Sequence, residues 1–188
     1  MKKISKLLII VTLISVAFKP EESVIGKMMP VMECEDFNGK KIALPTDTKD
    51  KYTLLGIVFS KDAETDLKSW MNPIYNRFIV KPDNKSADVF AVSDGFDINM
   101  YFIPMFNGLN QITSKQSKEK IKSSTDKEWY PYILFYDSNR SLKNELNIDK
   151  KDIPYFFVLD KTGKIVYATS GKYDSKKLEK IVDIIEEN

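Results

Sequence analysis

The stretch Tyr52–Ile79, YTLLGIVFSKDAETDLKSWMNPIYNRFI, joins a buried strand directly to an amphipathic helix. Leu54, Leu55, Ile57, Val58 and Phe59 form a nearly continuous apolar run, the pattern of a strand covered on both faces. Leu67, Trp70, Met71, Ile74, Tyr75, Phe78 and Ile79 then recur at steps of three and four residues, one stripe of a helix. Ser60 or Asp62 can cap that helix. Pro73 lies inside it and is expected to kink it, because proline lacks an N–H and its ring crowds the preceding turn. A strand of this kind needs covering layers on both sides, so the fold class is α/β.

Two absences narrow the chemistry. The chain has no histidine, which excludes His-based acid–base catalysis, Ser–His or Cys–His nucleophiles and histidine metal sites. It has one cysteine, Cys34, so neither an intrachain disulfide nor a CxxC motif can form. The formal charge of +2 includes Lys2, Lys3 and Lys6; setting them aside leaves 26 basic against 27 acidic residues. That balance gives no electrostatic case for binding nucleic acid or an anionic membrane.

Along the chain, residues 1–17 read as a secretory leader: a lysine-bearing start, the apolar run Leu7–Ile14, and small residues Ser15 and Ala17 at a cleavage point. The run is short for a membrane span, and no cysteine marks a lipid-attachment site; an uncleaved anchor is the alternative. Residues 18–188 then form one domain, a length that favours a single sizeable core. Asn38-Gly39 turns a β-hairpin between two short strands. Residues 81–87 are a polar loop, and Asp88–Ser93 is expected to be a second core strand completing a right-handed β-α-β unit. Residues 96–130 form an enlarged, insertion-like middle segment. Residues 132–136 read as a strand, Ser141–Leu146 as a short helix, and Ile153–Asp160 and Lys164–Ala168 as a hairpin around Lys161-Thr162-Gly163. Asp174 or Ser175 caps a terminal helix bearing Leu178, Ile181, Ile184 and Ile185 on one face.

The last third carries Pro154, Phe157, Asp160, Gly163 and Ile165 at the spacing P-x-x-F-x-x-D-x-x-G-x-I, and the hairpin is preceded by Gly26-Lys27 and Pro30. In these features the chain resembles the thioredoxin-like superfamily, in its exported thiol-disulfide oxidoreductase branch. The resemblance implies a thioredoxin-like sandwich, a central mixed β-sheet with helices on both faces. It also implies a cis-proline at Pro154 and a cysteine pair at the start of the helix after the central strand. Aligning Phe59 puts that pair at Glu64 and Leu67; aligning Pro73 puts it at Thr65 and Lys68. Neither register contains a cysteine. A narrower likeness runs through Val58-Phe59-Ser60, Lys68-Ser69-Trp70, Pro73, Tyr75 and Phe78. It is similar to a motif of the mitochondrial ATP synthase assembly factors, thioredoxin-like proteins that also lack the pair and act as chaperones for a membrane subunit.

Several residues are therefore candidates. Ile153 and Pro154, with Ser60, Lys61 and Asp62, would border a groove able to pair with extended peptide. Cys34 is the one nucleophile, but Glu33, Glu35 and Asp36 beside it would disfavour its thiolate. Met28, Met29, Met32 and Cys34 could offer sulfur ligands to Cu(I), although methionine is more often a core filler. Asp62, Glu64 and Asp66 stand at a helix N-terminus, where the macrodipole lowers carboxylate pKa values, the wrong direction for a general acid at neutral pH. Phe96, Tyr101, Phe102 and Phe106 could form an interface, or could cover a bare face of the sheet.

The function expected from all this is a non-redox protein of the periplasm or cell envelope that binds protein or extended peptide and assists assembly. It would use no cofactor, metal or nucleic acid, and would meet the membrane only through an uncleaved leader. The opposing expectation is a thiol-dependent oxidoreductase or peroxidase acting through Cys34 with a partner's thiol; copper handling is a third. Nothing in the sequence sets an oligomeric state.

Overall fold

The computed structural model describes residues 23–80, 96–107, 111–138 and 141–187. In chain order the elements are β1 (Met32–Glu35), β2 (Lys41–Leu44), β3 (Tyr52–Val58), α1 (Glu64–Phe78), β4 (Ile98–Asn107) and α2 (Gln111–Ser123). A 3-10 helix at Lys127–Tyr132 follows, then β5 (Tyr136–Ser138), α3 (Ser141–Glu145), β6 (Tyr155–Leu159), β7 (Ile165–Ser170) and α4 (Ser175–Glu186).

β3 is central in a five-stranded mixed sheet of order β5-β4-β3-β6-β7. It runs parallel to β4, with Leu55 opposite Tyr101, and antiparallel to β6, with Leu55 opposite Phe157. Side chains alternate across a strand, and the apolar run of β3 thereby feeds two cores. Leu54 and Val58 point to one, with Trp70, Ile74, Met100, Phe102, Phe156, Val158, Leu178 and Ile181. Leu55, Ile57 and Phe59 point to the other, with Met29, Met32, Cys34, Ile103, Leu142, Leu146 and Phe157. α1 and α4 cover the first face; the β1–β2 hairpin and α3 cover the second. This is the expected thioredoxin-like sandwich.

Gly56 lets the first core close. A Cβ there would lie 2.9 Å from the Phe102 ring and 3.0 Å from that of Phe156. Trp70 stacks on Phe156 at 4.3 Å and donates its indole N–H to the Gly171 carbonyl at 2.8 Å, fixing α1 to the turn before α4. α1 runs through Pro73 without a break from Glu64 to Phe78.

The middle of the chain differs from expectation. The strand expected at Asp88–Ser93, like the polar loop at 81–87 and the leader at 1–17, lies outside the described residues. The parallel neighbour of β3 is β4, drawn from the segment expected to be an insertion. Phe102 is 2% exposed and Met100 3%, so the start of that segment is sheet core. Residues 132–136 do not make a continuous strand. Ile133 bridges to Phe102 and Phe135 to Glu35, so the chain changes partner from the main sheet to the hairpin. Tyr136–Ser138 then pairs with β4 as a strand. Among the described residues the cis peptide bond is Leu44–Pro45; the expected cis bond at Ile153–Pro154 is not found. No helix among the described residues is long and apolar enough to cross a membrane.

Candidate functional site

The junction between β3 and α1 is where the expected site residues can be located. Neither Ser60 nor Asp62 caps α1: the N-cap is Ala63, fully buried, with helical backbone and no side-chain cap bond. The Ser60 hydroxyl instead donates to the Lys151 carbonyl at 2.7 Å, across 91 residues of sequence. That bond ties the junction to the loop leading into Ile153 and Pro154. The fold thus brings Ser60 to the loop before β6. Lys61 and Asp62 are exposed at the turn. Pro154 is buried, and its carbonyl already accepts the Gly171 N–H at 2.9 Å, so that group is not open to a passing strand. Ile153 is half-buried.

At the four positions where the resemblance would put thiols, the side chains have other tasks. Glu64 pairs with Lys68 one helical turn on at 2.7 Å, Thr65 is exposed, and Leu67 is buried in the helix-covered core. Cys34 stands in the hairpin, opposite Ile42 in β2 and fully buried. Burial pushes its thiol up to about 12. The direction matches expectation, but the cause is desolvation rather than the neighbouring acids. Such a thiol is a poor nucleophile at neutral pH. Met29 and Met32 are buried in the same core, while Met28 is 53% exposed, so the four sulfurs do not share one environment.

Of the aromatic candidates in the middle segment, Phe102 is corrected to core. Phe96 is half-buried, edge-on to Phe78 at 5.0 Å with the Arg77 guanidinium over its ring, and Tyr101 is half-buried against the second core. The side chain of Phe106 lies outside the described residues.

The structure adds residues that sequence patterns did not single out. Phe59, the last apolar residue before the junction, carries the Lys143 ammonium 4.8 Å from its ring centre and meets the Tyr155 ring edge-on at 6.5 Å. Burial, and then the neighbouring Lys151, hold the Lys143 pKa below the usual lysine range. Tyr155 accepts the Lys150 N–H on its hydroxyl at 3.0 Å. It also lines a groove of about 530 Å³ with Ile153, Phe157, Asn147, Ala168 and Ser170. These groups come from β3, α3 and the β6 loop, and no local spacing links them.

A second cleft, of about 700 Å³, separates α2 from the hairpin. Three of its charges are paired: Glu35 accepts from Lys118 at 2.8 Å and Lys41 at 2.7 Å, and both lysines hold its carboxyl below the usual range.

The family model described as ATP10 protein matches residues 15–187. Among solved structures, the exposed lipoprotein thioredoxin of Streptococcus pneumoniae is similar at a TM-score of 0.54 and 17% identity, covering 85% of this chain and 100% of that one. A putative thiol-disulfide oxidoreductase from Bacteroides vulgatus is similar at 0.53 and 17%, covering 90% and 92%. The C-terminal domain of another from Bacteroides thetaiotaomicron gives 0.52 and 17%, covering 87% and 97%. At such identities these likenesses establish the fold alone. No curated protein matches the chain in sequence.

Proposed function

This chain belongs to the ATP10 protein family, and on that premise we propose that it is a non-redox, protein-binding member of the thioredoxin-like fold that assists assembly of a membrane complex. The narrower sequence likeness to ATP synthase assembly factors makes an ATP synthase subunit the first partner to test. The observation that carries the reading is the β3–α1 junction. All four possible cysteine positions there hold other residues, and the single thiol of the chain is buried elsewhere with its pKa pushed up to about 12. A thiol–disulfide enzyme needs an accessible thiolate near neutral pH, and Cys34 is built against it.

The location proposed is the cell envelope. The lysine-led apolar run of residues 1–17 supports export. The family match at 15–187 supports one domain following that leader.

Two measurements test the reading. Insulin reduction with dithiothreitol should show no turnover above the uncatalysed rate, for wild type and Cys34→Ser alike. Turnover by wild type that disappears in the mutant would show that the thiol is the working group and end the non-redox reading. Crosslinking and pull-down from intact envelope should recover a membrane-complex subunit; recovery of nothing beyond the control would end the assembly reading.

A further inference from the structure

We propose that the outer edge of β7 at Ala168–Ser170 is where an extended, acidic segment of the protein partner adds to the sheet as a further strand, its backbone bonded to Ala168 and Ser170 and a carboxylate set against the Lys177 ammonium. The inference rests on the protein-binding reading above and gives that reading a surface and a kind of partner.

β7 ends the strand order of the sheet, so one side of its backbone faces away from β6. Backbone groups along an antiparallel strand point alternately to either side. The phase is fixed just past the end of β7, where the Gly171 N–H donates to the Pro154 carbonyl at 2.9 Å. Tyr167 and Thr169 therefore bond to β6, and the N–H and C=O groups of Ala168 and Ser170 point outward. Two contacts show the outer side in use. The Ile165 N–H donates to the Lys27 carbonyl at 2.8 Å, and the Ser170 carbonyl accepts from the Lys177 ammonium at 2.7 Å. No described residue bonds to either backbone group of Ala168 or to the Ser170 N–H.

The chain itself shows what covers this edge. Gly26 and Lys27 lay their backbone on Ile165, the Gly26 N–H donating to its carbonyl at 2.7 Å. A turn closed by the Lys27 N–H on the Val24 carbonyl at 3.2 Å ends that cover. Beyond it a groove of about 530 Å³ is lined by Val24 and Ile25, by Ala168 and Ser170, and by Tyr155 and Phe157. More extended backbone is what an open edge of this kind accepts. Charge then selects its sequence. Asp149 and Lys150 of the groove offset one another, whereas Lys177 has no ion pair among the described residues. An acidic residue in the added strand would meet that ammonium, and branched apolar neighbours would lie along Ile25, Tyr155 and Phe157. A second copy fits less well, because β7 carries no carboxylate and would bring only another Lys177 to the same edge.

The experiment follows the backbone amides of the full chain by NMR, first alone and then with extended peptides alternating Glu–Val, Gln–Val and Lys–Val. A fourth peptide is Glu–Val N-methylated throughout, which tests the backbone bonds on the unaltered protein. In the free protein the Ala168 and Ser170 amides should exchange with solvent about tenfold or more faster than those of Tyr167 and Thr169. The Glu–Val peptide should slow both, and should bind about tenfold tighter than the Lys–Val and N-methylated peptides at low salt. Its advantage over Gln–Val should vanish in Lys177→Gln, which leaves the backbone edge intact. Ala168→Pro removes the outward N–H at an edge position, where proline is tolerated, and should abolish both peptide binding and recovery of the envelope partner. Ala168 and Ser170 amides as protected as their neighbours in the free protein would mean that the chain covers its own edge. Protection that appears only as protein concentration rises would mean that a second copy does. Either result overturns the proposal and leaves the protein-binding reading standing. So does absence of Glu–Val binding, equal binding of the N-methylated peptide, tighter binding of Lys–Val, a Glu–Val advantage that survives Lys177→Gln, or partner recovery unchanged by Ala168→Pro. Failure of every peptide together with an empty pull-down overturns both.

Discussion

On one face of the sheet, Trp70, Phe156, Phe102 and Trp129 interlock beneath two helices; on the other, Met29, Met32, Cys34 and Met105 share space with leucines and isoleucines beneath a hairpin and a five-residue helix. The same strands supply both, residue by residue. The helical face is tied at long range, by the Trp70 indole to Gly171, by the Tyr173 N–H donated to the Ser69 hydroxyl at 3.1 Å, and by Arg77 to Glu186 at the surface. The hairpin that covers the other face is held chiefly by backbone, through the reciprocal bonds between Glu35 and Phe135 at 2.9 and 2.8 Å. Aromatic rings in fixed stacking make a stiff core, whereas methionine adapts to what is packed against it. The groove beside Tyr155 adjoins the second face, whereas the cleft of Glu35 and Lys118 is lined by Phe37 and Phe135 of the first. A partner meeting this protein is therefore expected on the side with the lighter cover.

The contrast breaks most visibly at Phe102. Its ring lies against Gly56 and is edge-on to Trp129 at 5.8 Å, so Phe102→Ala should cost ~3–5 kcal/mol of stability. Chemical denaturation measures this. A mutant of unchanged stability that recovers less partner would return the middle segment to the role of an interface and erase the distinction between the faces.

The sequence made the helical face legible and left the other obscure, for physical reasons. The stripe from Leu67 to Phe78 repeats at helical period, and Asp174 caps α4 by accepting from the Lys176 and Lys177 N–H groups, as a capping residue should. Strand β4 was misread because Pro104 interrupts its apolar run. Pro104 sits opposite Val58, the last paired position of β3, so a missing N–H disturbs little of that ladder. The expected cap at Ser60 failed because a tertiary partner, the Lys151 carbonyl, took the hydroxyl. The contact of Lys143 with Phe59 was invisible because folding makes it, from α3 and the end of β3, which share no period.

A smaller effect sharpens the comparison at Cys34. Its folded pKa of about 12 lies above the ordinary 9.0, so the folded state holds its proton more tightly than the unfolded chain. Stability from this source is complete below pH 9 and is lost as pH rises from there toward the folded value. Cys34→Ala should abolish this part of the alkaline loss, at a cost of about 1 kcal/mol near neutrality, on the scale of one small buried group. Native thiol labelling at pH 8 should be slow and should become fast in denaturant. Fast native labelling would show that the hairpin opens readily, and would reopen a role for the thiol.

The smallest expected effect lies at Glu35, on the exposed edge of the same hairpin. Lys118 and Lys41 both reach its carboxylate, and together they lower its pKa from the ordinary 4.5. A depressed carboxyl contributes stability above its unfolded pKa and loses it as pH falls through the folded one, so the contribution should be complete at neutral pH and disappear under acid conditions. Because the Glu35 side chain is 28% exposed and Lys41 is 72% exposed, solvent screens much of the attraction. Glu35→Gln should therefore cost less than about 1 kcal/mol at pH 7, and less again at high salt. Lys118 also sits 5.3 Å from the Phe135 ring centre, so Lys118→Ala removes packing as well as charge and should cost more than the glutamine variant. Denaturation of both variants at pH 7 and pH 3 separates the two contributions. If Glu35→Gln proved as costly as Phe102→Ala, the hairpin would be held as firmly as the helical face, and the lighter cover inferred for this side would be wrong.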